Sequence, residues 1–223
     1  MDRLLLEKEL KYLLTEPNFH FSIVELEKVF EKYGYLIAKA SNTREKFEEY
    51  FDDANFSLLK RGDILRRTKH RWYDRTDISQ PLFTYKEKVG NEDEPYTTRL
   101  EHKKDNITNL YEFVRAVNVG IIPDEKPKLT LSMVRKGAYL DLGQDKFYLA
   151  HDRTTYTNPS DGITYTEDML EVEDRGNINN LNPVYDYHLR RFNREMLGIG
   201  LPIRLTKDNK YERGSMALLG FEK

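Results

Sequence analysis

Several stretches of this chain alternate with period two, but the alternation sets charge against aromatic rather than wet against dry. In residues 82–88, Leu82, Thr84, Lys86 and Lys88 fall on one face of an extended chain and Phe83 and Tyr85 on the other. Residues 96–103 behave similarly, with Thr97, Arg99, Glu101 and Lys103 sharing a face. Residues 129–139 and 146–156 are further strand candidates, and 91–95 read as a connecting turn. An ordinary half-buried strand hides an apolar face and wets a polar one. Here charges of both signs line one face while aromatics line the other. Two architectures fit: an antiparallel sheet exposed to solvent, and a barrel with a polar interior whose outside is covered by helices. Periodicity alone leaves both open.

Three segments carry helical spacing. Residues 22–25 have capping-box spacing, followed by Ile23, Leu26, Val29 and Phe30 at helical intervals. Asp105 or Asn106 can cap a second helix through Ile107, Leu110, Tyr111, Val114 and Val117, ended by Gly120 and Pro123. Pro183 suits the first position of a third, running through Leu189, Phe192 and Met196 to Gly198. The class is α+β with mostly antiparallel strands. Proline and glycine are scattered, so residues 1–223 read as a single domain.

Charge and cysteine usage remove several functions. The 36 Lys and Arg nearly cancel the 38 Asp and Glu, which argues against a membrane or nucleic-acid partner held by bulk electrostatics. With no cysteine there is no disulfide, thiolate metal site or cysteine nucleophile. Apolar runs such as 4–6 fall far short of the roughly 20 residues of a membrane helix. Nothing at the start reads as a secretory signal, so the expected location is the cytoplasm.

The chemistry-bearing residues are carboxylate pairs and dispersed cations. On a strand Glu7, Glu9 and Lys11 would share a face, two carboxylates for a hard cation beside an ammonium for phosphate. Taken alone, though, this segment favours a helix, because Leu6, Leu10, Leu13 and Leu14 are at helical spacing and Glu7 with Lys11 makes an i,i+4 pair. Glu171 and Glu173 form a second i,i+2 pair that a strand would point one way. Arg66, Lys86, Lys88, Arg99 and Arg135 each fall within a strand candidate and suit phosphate recognition. Long charged side chains more often simply decorate surfaces. The histidines at 20, 70, 102, 151 and 188 lack metal-ligand spacing, and no glycine-rich phosphate loop or nucleophile elbow occurs. Arg190, Arg191 and Arg194 read as a solvated helix face.

In this order the motifs resemble the CYTH superfamily, the triphosphate tunnel metalloenzymes. The ExExK opening is matched by Glu7, Glu9 and Lys11. Tyr50-Phe51-Asp52-Asp53, then Leu58-Leu59-Lys60-Arg61-Gly62 and Leu65-Arg66, match its next segment. Thr84 with Lys86, Arg99 with Glu101, Arg135, Asp152 and a closing Glu171 with Glu173 follow, and residues 213–219 resemble its terminal helix. The resemblance implies that residues 7–11 form a strand. It further implies a closed antiparallel barrel of about eight strands, with a charged lumen and helices packed outside. It implies hydrolysis of inorganic triphosphate or another small triphosphorylated molecule. Lys11, Arg66, Lys86, Lys88, Arg99 and Arg135 would bind the phosphates, with Lys11, Glu9, Arg66 and Lys86 at the catalytic centre. Glu7, Glu9, Glu171, Glu173 and Asp152 would hold Mg²⁺ or Mn²⁺, and Glu101 would support metal or basic groups. Alternatives are a class IV adenylyl cyclase making cyclic AMP and a non-catalytic polyphosphate or nucleotide sensor. The oligomeric state stays open, a homodimer included. Two positions depart from the family pattern: Thr68 and Met133 stand where it often has cations, and Lys69, Lys88 or Lys136 are candidates to compensate.

Overall fold

The computed structural model describes residues 2–16, 31, 34, 36–40, 43–73, 78–89, 93–104, 106–141, 146–174, 183–198 and 200–222. The helix expected at 22–30 lies outside the described residues, as do Asn91 and Asp105. Ten strands form one sheet: β1 (Asp2–Leu14), β2 (Leu36–Ala40), β3 (Arg44–Phe51), β4 (Ile64–Trp72), β5 (Leu82–Val89), β6 (Thr97–Lys104), β7 (Leu129–Asp141), β8 (Lys146–Thr157), β9 (Thr164–Asp174) and β10 (Ile203–Thr206). Among the described residues four helices accompany them: α1 (Ser57–Arg61), α2 (Leu110–Val117), α3 (Pro183–Gly198) and α4 (Lys210–Leu219).

Eight of the strands close in the order β1-β6-β5-β4-β3-β7-β8-β9, with β9 pairing back to β1 and every pairing antiparallel. β10 extends the edge of β1 past β6, and β2 pairs with the far end of β7. The closed barrel and its α+β class are those the motifs implied. The helical preference of residues 7–11 is overridden because β1 is bonded along both edges: Asp2–Glu9 face β6 and Glu9–Leu13 face β9. Leu6, Leu10 and Leu14 are four apart, a spacing that satisfies period two as well as the helical repeat. In the barrel Leu10 points outward, into a cluster with Tyr12, Phe147, Leu149, Leu170 and Val172 that Leu189, Phe192 and Met196 of α3 cover.

A second outer cluster joins Phe51, Leu65, Phe83 and Tyr85 of β3–β5 to Leu58 of α1 and to Phe113 and Val114 of α2. The aromatic faces read from the sequence are therefore the barrel's exterior, and burial under helices holds them. Helix α2 starts later than expected: Asn109, not Asp105 or Asn106, accepts the Glu112 amide hydrogen at 3.0 Å. Asn106 instead takes a left-handed turn, φ 69°. The Tyr50–Gly62 motif is explained locally. The Asp52 carboxylate accepts the first free amides of α1, from Leu58 at 3.0 Å and Leu59 at 2.9 Å, and Gly62 ends the helix at φ 77°.

Helix α4 is placed differently from the others. It closes one end of the barrel, with residues 210–215 buried. Tyr211 stacks on Tyr50 at 5.1 Å and joins Ile64, Leu129, Leu131, Met133 and Tyr156, which fill that end with apolar atoms. Asn209 and Glu212 form a capping box that fixes where the helix begins. A Cβ on Gly214 would lie 2.5 Å from both Leu129 Cδ2 and Tyr156 Cδ1. Gly214→Ala gains about 1 kcal/mol of helix propensity, whereas overpacking a core costs about 1–3 kcal/mol. Leu129 and Tyr156 are fully buried and have nowhere to retreat. The variant should be less stable, with a lower urea midpoint at unchanged slope.

Candidate functional site

Inside the barrel the alternating faces converge on a cavity of about 220 Å³, small beside the roughly 300–1,000 Å³ of pockets for drug-sized ligands. Among the described residues nine lysines and arginines and six glutamates line it, an excess of three positive charges. Of the residues singled out in the sequence, Glu7, Glu9, Lys11, Arg66, Lys86, Arg99, Arg135, Glu171 and Glu173 all line this cavity, with Glu101. Register brings them together: Glu9 faces Glu173 and Lys11 faces Glu171 across β1 and β9, while Glu7 faces Arg99 across β1 and β6.

Opposite charges are interleaved throughout. Lys11 pairs with Glu9 and donates to Thr97 Oγ1 at 2.9 Å. Lys86 pairs with Glu7 and lies 3.7 Å from Glu9 and 3.5 Å from Glu101. Arg66 Nη1 is 3.1 Å from both oxygens of Glu48. Arg135 donates to Glu173 at 2.7 Å and to Glu171. Burying one of these groups alone would cost several kcal/mol, and the partners offset that. Burial opposes ionisation of Glu9, yet Lys11 and Lys86 hold its carboxyl well below the usual range. Lys210 and Arg135 do the same for Glu171. Glu7 differs: burial first, then the neighbouring Glu9 carboxylate, raises it to about 7 against the pull of Lys86.

Glu9, Glu171 and Glu173 are all buried, and one carboxylate oxygen from each lies within 4.8 Å of the others. Such an oxygen-only set fits a hard divalent cation. Glu7 lines the cavity beside this trio but is engaged by Lys86. Asp152 is on the inward face, directly opposite Arg135 across β7 and β8, but does not itself line the cavity: it is fully buried, accepts from Arg135 Nε at 2.6 Å and Nη2 at 2.5 Å, and lies 3.0 Å from Lys210 Nζ. It shares Arg135 and Lys210 with Glu171 but is not one of the three clustered carboxylates, and its two hydrogen bonds aim the Arg135 guanidinium. Lys88 does not reach the cavity. Strand β4 begins at Ile64, opposite Lys86, so Lys88 lies past that edge, exposed, where its amide donates to Asp63 at 3.0 Å.

Several lining residues escaped the sequence reading. Arg44, Lys46, Glu48 and Tyr50 alternate along β3 as the others do, and that run was a usable signal. Thr68 and His70 continue the inner face of β4. Lys210 comes from α4, which no period-two pattern announces; its ammonium pairs with Glu171 and Asp152. Neither Lys69 nor Lys136 lines the cavity. Among the described lining residues, buried polar atoms without a hydrogen-bond partner include Arg66 Nε, Arg99 Nε, Thr68 Oγ1 and His70 Nδ1, along with one acceptor, Glu48 Oε1. Unmade bonds of this kind are costly, and a cluster of them around one cavity marks a place for a ligand rich in acceptors.

No family model and no curated protein matches the sequence. Solved structures match by shape. PH1819 from Pyrococcus horikoshii OT3 superposes with a TM-score of 0.53 at 14% identity, over 96% of this chain and 99% of that one. HpAC1 from Hippeastrum, described as an adenylyl cyclase candidate that reveals a dominant triphosphatase activity, gives 0.51 at 15% identity, over 95% and 96%. The likeness is one of fold: this chain has the tunnel fold of CYTH-type proteins.

Glu48 shows how closely the lumen charges depend on one another. Burial opposes its ionisation, but Arg66 and Lys46 lower its pKa from the ordinary 4.5 to about 2. Ionised Glu48 therefore stabilises the fold above about pH 4.5, and the contribution is lost as pH falls toward about 2. Glu48→Gln should lose about 3 kcal/mol at pH 7. Urea midpoints should show the gap to wild type shrinking as the pH is lowered to about 3.

Proposed function

We propose that this tunnel hydrolyses a phosphoanhydride bond of a triphosphate substrate, either inorganic triphosphate or a small triphosphorylated molecule, with Mg²⁺ or Mn²⁺ as cofactor. The observation that carries the reading is the pairing of two unlike features in one small cavity. An excess of cations with unpartnered donors adjoins a buried trio of carboxylates. A polyphosphate supplies acceptors for the first, and a divalent cation suits the second. The fold shared with HpAC1 is consistent with it.

Phosphoryl transfer asks a protein mainly for positioning and for charge where the transferred group develops it. Lys11, Arg66, Lys86, Arg99 and Arg135 offer that charge from five strands around the lumen. The arginines suit bidentate capture of phosphate oxygens, and the lysines act as point charges. Asp152 holds Arg135 by two hydrogen bonds, so its guanidinium is aimed before substrate arrives. Glu9, Glu171 and Glu173 would hold the divalent cation, which when bound polarises a phosphoryl oxygen and orients a water. The lumen is narrow, and the end filled by Tyr211 and its neighbours excludes water from one side.

Phosphate release from inorganic triphosphate with added Mg²⁺ or Mn²⁺ tests the reading directly. Wild type should turn over, and Glu9→Gln should lose on the order of 10²-fold or more in kcat, the scale of removing one preorganised electrostatic contact. Absence of release by wild type, or full activity in Glu9→Gln, would refute it. Cyclic AMP formed from ATP would instead assign a cyclase, and tight binding without turnover a sensor.

A further inference from the structure

Of the lumen cations among the described residues, Lys11, Arg66, Lys86, Arg99, Lys103, Arg135 and Lys210 each have a carboxylate within 4 Å, and Lys46 does not. Lys103 lies 2.5 Å from Glu101, Arg99 lies 3.6 Å from Glu9, and Lys210 pairs with Glu171. Lys46 is only 8% exposed and has no ion pair among the described residues. Its surroundings are unfavourable to its charge. Across the ladder it faces His70 on β4 and Met133 on β7. Around it stand Arg44 and Glu48 of its own strand, Arg66 of β4 and Arg135 of β7, three cations against one carboxylate that Arg66 already engages. Burial first, and then Arg135, lowers its pKa from 10.5 to about 7. His70, beside it, is lowered to about 4 by burial and then by Lys46 and Arg44, so it stays neutral and adds no further positive charge.

Position gives this isolated ammonium a role. In the eight-strand ring β3 is four steps from β1 in either direction, through β4, β5 and β6 or through β7, β8 and β9. Lys46 therefore faces the lumen from the wall opposite Glu9. Between them lie Arg66 and Lys86 on one side and Arg135 on the other. We infer that Lys46 binds the phosphoryl group at the end of the chain remote from the carboxylate trio, and so selects triphosphate over diphosphate. The inference rests on the triphosphate reading and adds a ruler to it. On this inference the third phosphate is the one that reaches Lys46 on the far wall, and a chain of two leaves Lys46 without its anion. A buried cation with no counter-ion is costly in the free protein, and the third phosphate supplies the missing partner.

The test measures binding of inorganic triphosphate and of pyrophosphate, by calorimetry at neutral pH, to wild type, Lys46→Met, Lys46→Arg and Lys46→Met with Met133→Lys. Lys46→Met should lose on the order of 10- to 100-fold in triphosphate affinity, the range for one charge-assisted contact, with pyrophosphate affinity little changed. Lys46→Arg should keep the preference, and Met133→Lys should restore part of it, because residue 133 faces residue 46 directly. The urea midpoint of Lys46→Met should not fall, since an unpaired buried charge has been removed; a merely structural lysine would lower it. Equal losses for both ligands, or no loss for triphosphate, overturn the inference while leaving the triphosphate reading intact. Wild type that binds neither ligand overturns both.

Discussion

Charge inside a barrel is costly unless a buried group has an opposite one within reach, and that condition, to which Lys46 is the exception, organises this protein. The eight closed strands present residues to the lumen at every second position, so the sign of each inward residue is constrained by its cross-strand neighbours. Glu7 opposite Arg99, Lys11 opposite Glu171 and Lys86 opposite Glu101 are three consequences. The near-cancellation of 36 basic against 38 acidic residues belongs to the same condition. A strongly one-signed chain could not furnish this interior without leaving several buried charges unpaired.

The apolar energy that holds such a barrel together has to come from outside it. Leu10, Tyr12, Phe147 and Val172 face α3, and Phe51, Phe83 and Tyr85 face α1 and α2. Among the described residues the interior's buried apolar cluster lies at one end, where Tyr50, Leu129, Leu131, Met133 and Tyr156 meet Tyr211 of α4. That division explains why α4 belongs both to the fold and to the site. Tyr211 and Gly214 seat the helix among apolar side chains, and the same seating carries Lys210 to Glu171 and Asp152. A cation can be delivered from a helix end without taking up an inward position on any strand.

Much of this was legible in the chain because strand alternation is local. Residues 82–88 and 96–103 display their inward and outward faces without reference to anything distant. The first strand was not legible from its own residues. Leu6, Leu10 and Leu14 obey both periods, and pairing with β6 and β9, about 90 and 160 residues away, decides between them. Lys88 shows the converse limit. It shares a face with Lys86, but the barrel wall ends between them because β4 starts at Ile64. Period gives a side chain's direction, not where the neighbouring strand stops. Asp152 was reached only through the family resemblance and Lys210 not at all, for a related reason: one bonds to Arg135 and the other arrives on a helix, and neither relation is written in spacing.

The pairing rule also bears on how a tunnel already full of ion pairs could accept a polyphosphate with its cation. Arg135 and Lys210 now occupy Glu171, and Lys11 occupies Glu9. On the proposed function the two incoming species are of opposite sign, and each takes over one side of existing pairs. Lysines and arginines turn to phosphate oxygens while the carboxylates turn to the divalent cation. The carboxylates and the cations that pair with them keep a partner of opposite sign at either stage, so most of the desolvation cost of the lumen is met during folding and does not recur on binding. An anion entering alone would strand the carboxylates, and a cation entering alone would strand the arginines. The interleaving that makes the barrel foldable therefore favours joint entry of metal and polyphosphate over either one singly.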